Sequence, residues 1–263
     1  MKKRLDILTV EQGLFPSREK AKASIMAGLV SVDGQMIDKP GTNVSETAKI
    51  NVREDLCPYV SRGGLKLEKA LKSFGFDLKG VNAVDIGAST GGFTDCMLQN
   101  GASHVYCIDV GYGQLDWKLR NDPRITNMEK CNVRYLDTDL IDREIAFISI
   151  DVSFISLKLV FPVAAKLLSE EGSLVCLVKP QFEAGREQVG KKGIVRDPTV
   201  HTEVIENVIA YGEENGLYAH GLTYSPVTGT KGNIEYLLFM RKKMCDNIVN
   251  IKEVVTQSHE ELI

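Results

Sequence analysis

Two lysines and two carboxylates, Lys66, Asp151, Lys179 and Glu235, occupy positions from which they could act together. Asp151 follows the apolar run 145–150, and Lys179 closes the apolar run 173–179. In open α/β sheets, chemistry gathers at the carboxyl ends of the strands. Glu235 alternates with Ile234 and Tyr236 near the start of the last apolar run. An antiparallel final strand would bring that start to the same edge. Lys66 sits on a basic helix ahead of the first strand, from which it could reach over this edge. Amines and carboxylates grouped in this way suit proton transfer from a hydroxyl. A lysine amine, with a reference pKa of about 10.4, is mostly charged at neutral pH. A second amine nearby and partial burial disfavour that charge and make a usable base, while carboxylates orient the amines. Each residue also has a plainer reading. Lys66, Lys69 and Lys72 at helical spacing describe a solvated face, and Asp151 can cap a helix opening near Ser153. Lys179 precedes Pro180, so its backbone is extended and it can be a surface lysine at a strand end. Glu235 is hardest to explain that way, because a carboxylate beside a core needs a partner.

A second group is the loop Asp85-Ile86-Gly87-Ala88-Ser89-Thr90-Gly91-Gly92-Phe93-Thr94, between an expected strand and an expected helix. Small residues there let backbone N–H groups approach a ligand at a helix N-terminus. Asp109 ends the next apolar run, 24 residues after Asp85, where a carboxylate can accept both hydroxyls of a ribose. A dinucleotide is one candidate ligand, although the glycines do not follow the GxGxxG spacing. S-adenosylmethionine is the other, since an acid at the strand end (Asp85) suits its positive sulfonium and amino acid. A tight strand–helix turn with a solvated aspartate is the bland alternative.

The elements that must carry these groups alternate. Residues 81–86, 103–109, 124–128, 145–150 and 173–179 read as strands. Residues 92–100, 114–121, 156–168 and 198–215 read as helices between or after them. That alternation predicts a parallel sheet with helices on both faces. Residues 221–226 and 233–241 read as an antiparallel pair joined by a short glycine-rich turn. Such an ending is the Rossmann-like methyltransferase plan. Ahead of it, residues 1–57 read as a small α+β domain. Ser17 caps a helix over 18–27 that Gly28 stops, and residues 29–35 turn back at Asp33-Gly34 as a hairpin. Residues 50–52 form a further short strand. Residues 58–64 read as a linker, 65–241 as the catalytic domain, and 242–263 as a polar tail.

With 263 residues, 43% apolar and 25% charged, the composition is that of a globular protein with a real core. No apolar run approaches the roughly 20 residues that span a bilayer, and the basic start lacks an apolar h-region. The six cysteines are scattered without metal-like spacing and read as reduced core residues, so a cytoplasmic protein without metal is expected. A net charge of −3 argues weakly against nucleic acid, but charge is uneven. Residues 1–26 hold six Lys/Arg against three acids, and residues 58–72 hold four against one. An RNA-binding face must therefore be local.

Several motifs carry a specific resemblance: 85–96 (DIGASTGGFTDC), 109–115 (DVGYGQL), 151–157 (DVSFISL), 179–185 (KPQFEAG) and 232–236 (GNIEY). With them the chain resembles the TlyA family, also called hemolysin A, of ribosomal RNA 2′-O-methyltransferases with an FtsJ-like catalytic domain. The N-terminal residues 4–6, 17–21 and 28–34 are similar to that family's domain of the ribosomal-protein-S4 type. The resemblance covers nearly the whole chain. It implies a mostly parallel seven-stranded sheet with a C-terminal antiparallel hairpin, preceded by a small S4-like domain. It also implies a Lys66–Asp151–Lys179–Glu235 tetrad for methylating a ribose 2′-hydroxyl, with Lys179 the base. Gly87, Ser89, Gly91, Gly92 and Phe93 would wrap S-adenosylmethionine, Asp109 would take its ribose, and Asn132 would lie near its adenine. Arg4, Arg18, Lys20, Lys22 and Arg62 would contact RNA. Family members methylate cytidines of the large subunit, and those with a C-terminal extension also act on the small one. Some carry an Arg-Ala-x-Trp linker that couples the domains, where this chain has Cys57-Pro58-Tyr59-Val60. A non-catalytic RNA-binding or ribosome-assembly module is the rival reading, which the four tetrad residues oppose. A membrane-active hemolysin is a further rival, opposed by the lack of a spanning or strongly amphipathic basic segment.

Overall fold

A computed structural model describes residues 2–15, 17–26, 28–52, 57–245 and 249–262. The chain divides into two compact units, Met1–Pro58 and Tyr59–Ile263.

The first unit runs β1 (Lys2–Arg4), α1 (Leu5–Glu11), α2 (Arg18–Met26), β2 (Val30–Val32), β3 (Gln35–Met36), β4 (Asn43–Ser45) and β5 (Ile50–Val52). Leu5 and Leu8 of α1 and Ala21 and Ile25 of α2 recur at helical spacing and meet Val30, Val32 and Val44 in one apolar core. Ser17 Oγ accepts the Lys20 N–H at 3.2 Å, an N-cap that starts α2. Asp33 and Gly34 both have positive φ, the two-residue turn that lets β2 pair back on β3. Strand β1 is an addition to the sequence reading. Its Lys-Lys-Arg residues carry no apolar alternation, yet it pairs antiparallel with β4.

The second unit comprises α3 (Gly63–Phe74), β6 (Asn82–Ile86), α4 (Gly92–Gln99), β7 (His104–Ile108), α5 (Trp117–Arg120), β8 (Ile125–Met128), β9 (Ile145–Ile150), α6 (Phe161–Leu167), β10 (Leu168–Val178), α7 (Pro180–Glu183), α8 (Pro198–Glu213), β11 (Tyr218–Tyr224), β12 (Tyr236–Arg241) and α9 (Ile251–Leu262). The sheet order is β11-β12-β10-β9-β6-β7-β8. The strands from β6 to β10 run parallel, and β12 is antiparallel to both β10 and β11. Two apolar layers cover the faces. One packs Leu67, Ala70 and Leu71 of α3 and Phe93, Met97 and Leu98 of α4 against Val105, Phe147, Val175 and Leu237. The other packs Phe161, Val204, Ile205 and Val208 against Val84, Ile148, Cys176 and Leu238. Strand order reverses between β6 and β9, where ligands bind beyond the carboxyl ends of an α/β sheet.

Three expected elements are corrected. The helix expected over 114–121 shortens to α5, because Asp116 caps it at the Lys118 N–H. The helix expected over 156–168 is a 3₁₀ turn, Leu157–Leu159, followed by α6, whose Pro162 sits in the first turn, where its missing N–H costs nothing. Strand β10 begins at Leu168, with a register shift before Ser173 that the apolar run could not reveal. Residues 251–262 of the expected polar tail form α9, which buries Val255 and Ser258.

Helix α9 meets α8 and β12 through a buried polar cluster. His201 Nε2 lies 3.0 Å from the Val195 carbonyl, and His201 Nδ1 lies 2.7 Å from Tyr236 Oη and 3.1 Å from His259 Nε2. Burial holds His201 down at about 4. An unfolded chain takes up a proton at this imidazole below about pH 6.5, whereas the folded one resists until about pH 4. His201 therefore contributes stability above pH 6.5 that is lost as pH falls toward 4. Urea unfolding of wild type and His201→Gln at pH 7.5 and pH 5 should show wild type losing about 1–2 kcal/mol more than the variant. Equal losses would mean that His201 does not titrate differently on folding.

Candidate active site

The site forms where the parallel strands end. Tyr236 pairs with Val178, so the preceding residue, Glu235, lies level with Lys179. Ile150 pairs with Cys176, which puts Asp151 at the same edge, and its N–H donates to the Ile86 carbonyl. Helix α3 buries Leu67, Ala70 and Leu71 against the sheet layer, and that anchorage carries Lys66 over the edge.

The four charged residues form two ion pairs. Lys66 Nζ donates to Glu235 Oε2 at 2.6 Å, with Glu235 3% exposed. Lys179 Nζ lies 2.5 Å from Asp151 Oδ1 and donates to Ser153 Oγ at 3.1 Å, with Lys179 8% exposed. Lys66 and Asp151 line a cavity with Ser61, Arg62, Gly63, Gly87, Ser89, Phe93 and the 227–229 loop. Lys179 and Glu235 stand behind them as the buried halves of the pairs.

A second cavity, of about 450 Å³, shares Gly87, Ser89 and Asp151 with the first and extends along Asp109, Val110, Gln114, Asn132 and Phe154. Its volume suits a nucleoside-sized ligand. Gly87 has φ +85, and a Cβ there would overlap the Asp151 carbonyl, so only glycine lets the loop lie this close to β9. Asp109 Oδ2 accepts the Ser89 N–H and Oδ1 accepts the Gly111 N–H, both at 2.7 Å. Each oxygen retains a lone pair toward the cavity. Asn132 Oδ1 caps the Arg134 N–H. Carboxylate, glycine cradle and amide together fit the adenosyl group of S-adenosylmethionine.

Asp85 is not where the sequence reading put it. It lines neither cavity and is fully buried beneath the loop. Thr94 Oγ1 donates to its Oδ2 at 2.6 Å, and Ser149 Oγ donates to its Oδ1 at 2.9 Å. Its side chain points into the layer beneath α4, where burial, opposed by those hydroxyls, raises the carboxyl to about 6. Gly91 also lines neither cavity. It takes a positive φ to start α4, with Leu115 and Leu119 packed against it.

Three contributors escaped the sequence reading. Ser153 sits two residues past Asp151 in DVSFISL, and Gln181 two past Lys179 in KPQFEAG. Gln181 Nε2 faces Glu235 Oε1 at 3.4 Å. Phe154, with φ 64, is 90% exposed and stacks at 4.9 Å on Phe182. A non-glycine residue held in that conformation is a strained position, a local feature that sequence periodicity does not report.

In the first unit, Asp6 is buried, and its carboxylate takes Arg4 at 2.9 Å and Arg18 at 2.8 Å. These guanidiniums hold Asp6 down at about 2. Arg4 and Arg18 are about half exposed, fixed at one end and open at the other, and Lys20 is exposed nearby in sequence.

A Rossmann-like sheet with this cofactor cradle defines an S-adenosylmethionine-dependent methyltransferase. Residues 59–242 match the FtsJ-like methyltransferase family and residues 3–50 match the S4 domain, and the chain belongs to the FtsJ-like methyltransferase family. It is 53% identical over 240 residues to the "Putative rRNA methyltransferase YqxC" of Bacillus subtilis, covering 91% of this chain and 85% of that one. It is 43% identical to the 16S/23S rRNA (cytidine-2′-O)-methyltransferase TlyA of Mycobacterium tuberculosis, over 90% of this chain and 89% of that one. Among solved structures, the "Putative hemolysin from Streptococcus thermophilus" superposes with a TM-score of 0.78 at 50% identity, over 99% of this chain and 96% of that chain. Among the described residues, no helix is long and apolar enough to cross a membrane.

Proposed function

We propose that this methyltransferase modifies a ribose 2′-hydroxyl of ribosomal RNA, at cytidines of the large subunit and also of the small one. The observation that carries this reading is the pair of buried ion pairs, Lys66–Glu235 and Lys179–Asp151, flanking a cavity that adjoins the cofactor cradle. The printed name of the Mycobacterium tuberculosis relative supports the substrate class. S-adenosylmethionine, when bound, supplies a methyl group activated by its sulfonium. Asp109 holds the ribose end of that ligand, Asn132 stands at the adenine, and Gly87, Ser89, Gly92 and Phe93 shape the wall toward the acceptor. Lys179, as a neutral amine, takes the proton from O2′ as that oxygen bonds to the methyl carbon and the carbon–sulfur bond breaks. Asp151 and Ser153 fix Lys179, while Glu235 fixes Lys66 at the cavity wall. Residues 1–57 act as the RNA-capturing domain, joined by 58–64 to the catalytic domain over 65–241, in the cytoplasm.

The test is a map of 2′-O-methyl groups in ribosomal RNA from cells with and without this gene, repeated with purified protein on the unmodified RNA. Methyls that vanish with the gene and return with the protein are expected. An unchanged map removes the proposal. Two narrower outcomes follow. Asp109→Ala should weaken S-adenosylmethionine binding by about 1.5–3 kcal/mol in calorimetry, the scale of hydrogen bonds to a charged group, with RNA affinity nearly unchanged. Unaltered cofactor affinity would take Asp109 out of the site. Replacing Arg18, Lys20 and Lys22 together by glutamine should reduce RNA affinity and flatten its dependence on salt, because phosphate contacts release counterions. Wild-type affinity at every salt concentration would make that helix only a solvated face.

A further inference from the structure

Glu235 has one strong partner and one weak one. Lys66 saturates Oε2 at 2.6 Å, whereas Oε1 has only the Gln181 amide at 3.4 Å, near the limit of a hydrogen bond. Gly229 seals this side, since a Cβ there would overlap the Glu235 carboxylate. Gln181 is fixed from its own segment. Its helix, α7, begins directly after Lys179, and Glu183 anchors α7 by accepting Ser156 Oγ at 2.7 Å and the Leu157 N–H at 2.8 Å. The side chain thus joins the segment of one ion pair to the carboxylate of the other.

The other end of this amide is unsatisfied. Gln181 Oε1 is buried and has no hydrogen-bond partner among the described residues. Reversing the amide would turn its carbonyl toward a carboxylate, so Glu235 dictates which end is left over. A buried orphan acceptor is costly and is kept where a donor arrives during function.

We infer that Gln181 is a positioning residue for methyl transfer: its amide nitrogen holds Glu235, and its carbonyl accepts a hydrogen bond from a donor on the acceptor nucleoside. The donor is the ribose 2′-hydroxyl before it loses its proton, or an exocyclic amine of the base. When the nucleoside enters, the orphan is satisfied and the contact to Glu235 tightens, fixing the second ion pair as the proton leaves O2′. The inference rests on the 2′-O-methylation reading.

Gln181→Met keeps the shape and removes both polar ends. The expected result is a roughly 10–100-fold fall in the single-turnover rate at saturating RNA and S-adenosylmethionine. The melting temperature of the free protein should hold or rise, because the buried orphan is gone. A residue that only braces the fold gives the reverse, a lower melting temperature with the rate intact, and that overturns the inference. Gln181→Glu supplies the second arm. Two adjacent carboxylates share a proton, so its pH–rate profile should shift relative to wild type, and an unshifted profile also overturns it. Running each variant on RNA with the mapped target cytidine changed to uridine, which lacks the amine, separates the two donors. If the base amine is the donor, wild type discriminates against uridine and Gln181→Met does not. If the hydroxyl is the donor, the variant's loss is the same on both. Wild type that makes no 2′-O-methyl fails the functional reading itself, whereas active wild type with an equally active Gln181→Met fails only this inference.

Discussion

Lys179→Ala should lower the single-turnover rate of methyl transfer by on the order of 10²–10⁴, the usual worth of a positioned base, with cofactor and RNA still bound. Lys179→Arg should be nearly as damaging. A guanidinium keeps the charge and reaches Asp151, but it does not give up its proton near neutral pH. The geometry makes this comparison sharp. Lys179 is held by Asp151 at 2.5 Å and Ser153 at 3.1 Å, so a purely structural lysine would tolerate arginine better than alanine. Quenched-flow transfer from labelled S-adenosylmethionine, with melting curves as the control, reads both. An arginine variant running at the wild-type rate would show that Lys179 does not take the proton.

The second large effect is on stability. Removing one partner of a buried ion pair leaves an uncompensated charge and costs about 3–5 kcal/mol. Lys66→Met should do this, because Glu235 is 3% exposed and retains only the distant Gln181 amide. Lys66→Met combined with Glu235→Leu removes both charges and should recover most of the loss, since apolar replacements of a buried pair are often neutral. Neither variant should transfer methyl at the wild-type rate. Urea unfolding of the four corners of this cycle yields the coupling. A double variant as unstable as Lys66→Met would assign the loss to packing around α3. A fully active double variant would remove the pair from the chemistry.

The alternation of apolar runs with helical stretches made the order of β6 to β10 readable, because parallel strands buried on both faces are apolar along their length. The final antiparallel strand was readable for the same reason, and with it the edge that Glu235 shares with Lys179. Individual contacts were less legible. Asp85 and Asp109 both close apolar runs, and only side-chain direction separates a carboxylate under the loop from one lining the cavity. Gln181 and Ser153 carry no periodic signal, since each follows a strand end and acts through one local bond. Strand β1 was missed because its residues are charged, and its pairing with β4 is a backbone matter. The pairing of Lys66 with Glu235 and of Lys179 with Asp151 depends on how α3 packs across the sheet, and sequence spacing does not encode that packing.

The place of Glu235 in the chain has a consequence in time. The cofactor cradle is complete once residue 155 has been made, and Lys66 is older still. The partner that neutralises Lys66 arrives 80 residues later, and it is seated by β12, the last strand of the sheet to be synthesised. At about 5–20 residues per second, that interval is about 4–16 s. Throughout it, an emerging chain holds a cradle without a finished proton-handling centre, so it should capture S-adenosylmethionine before it can spend it. An enzyme whose proposed substrate is ribosomal RNA is thus inert toward the particle that is building it until translation of the catalytic unit is nearly over.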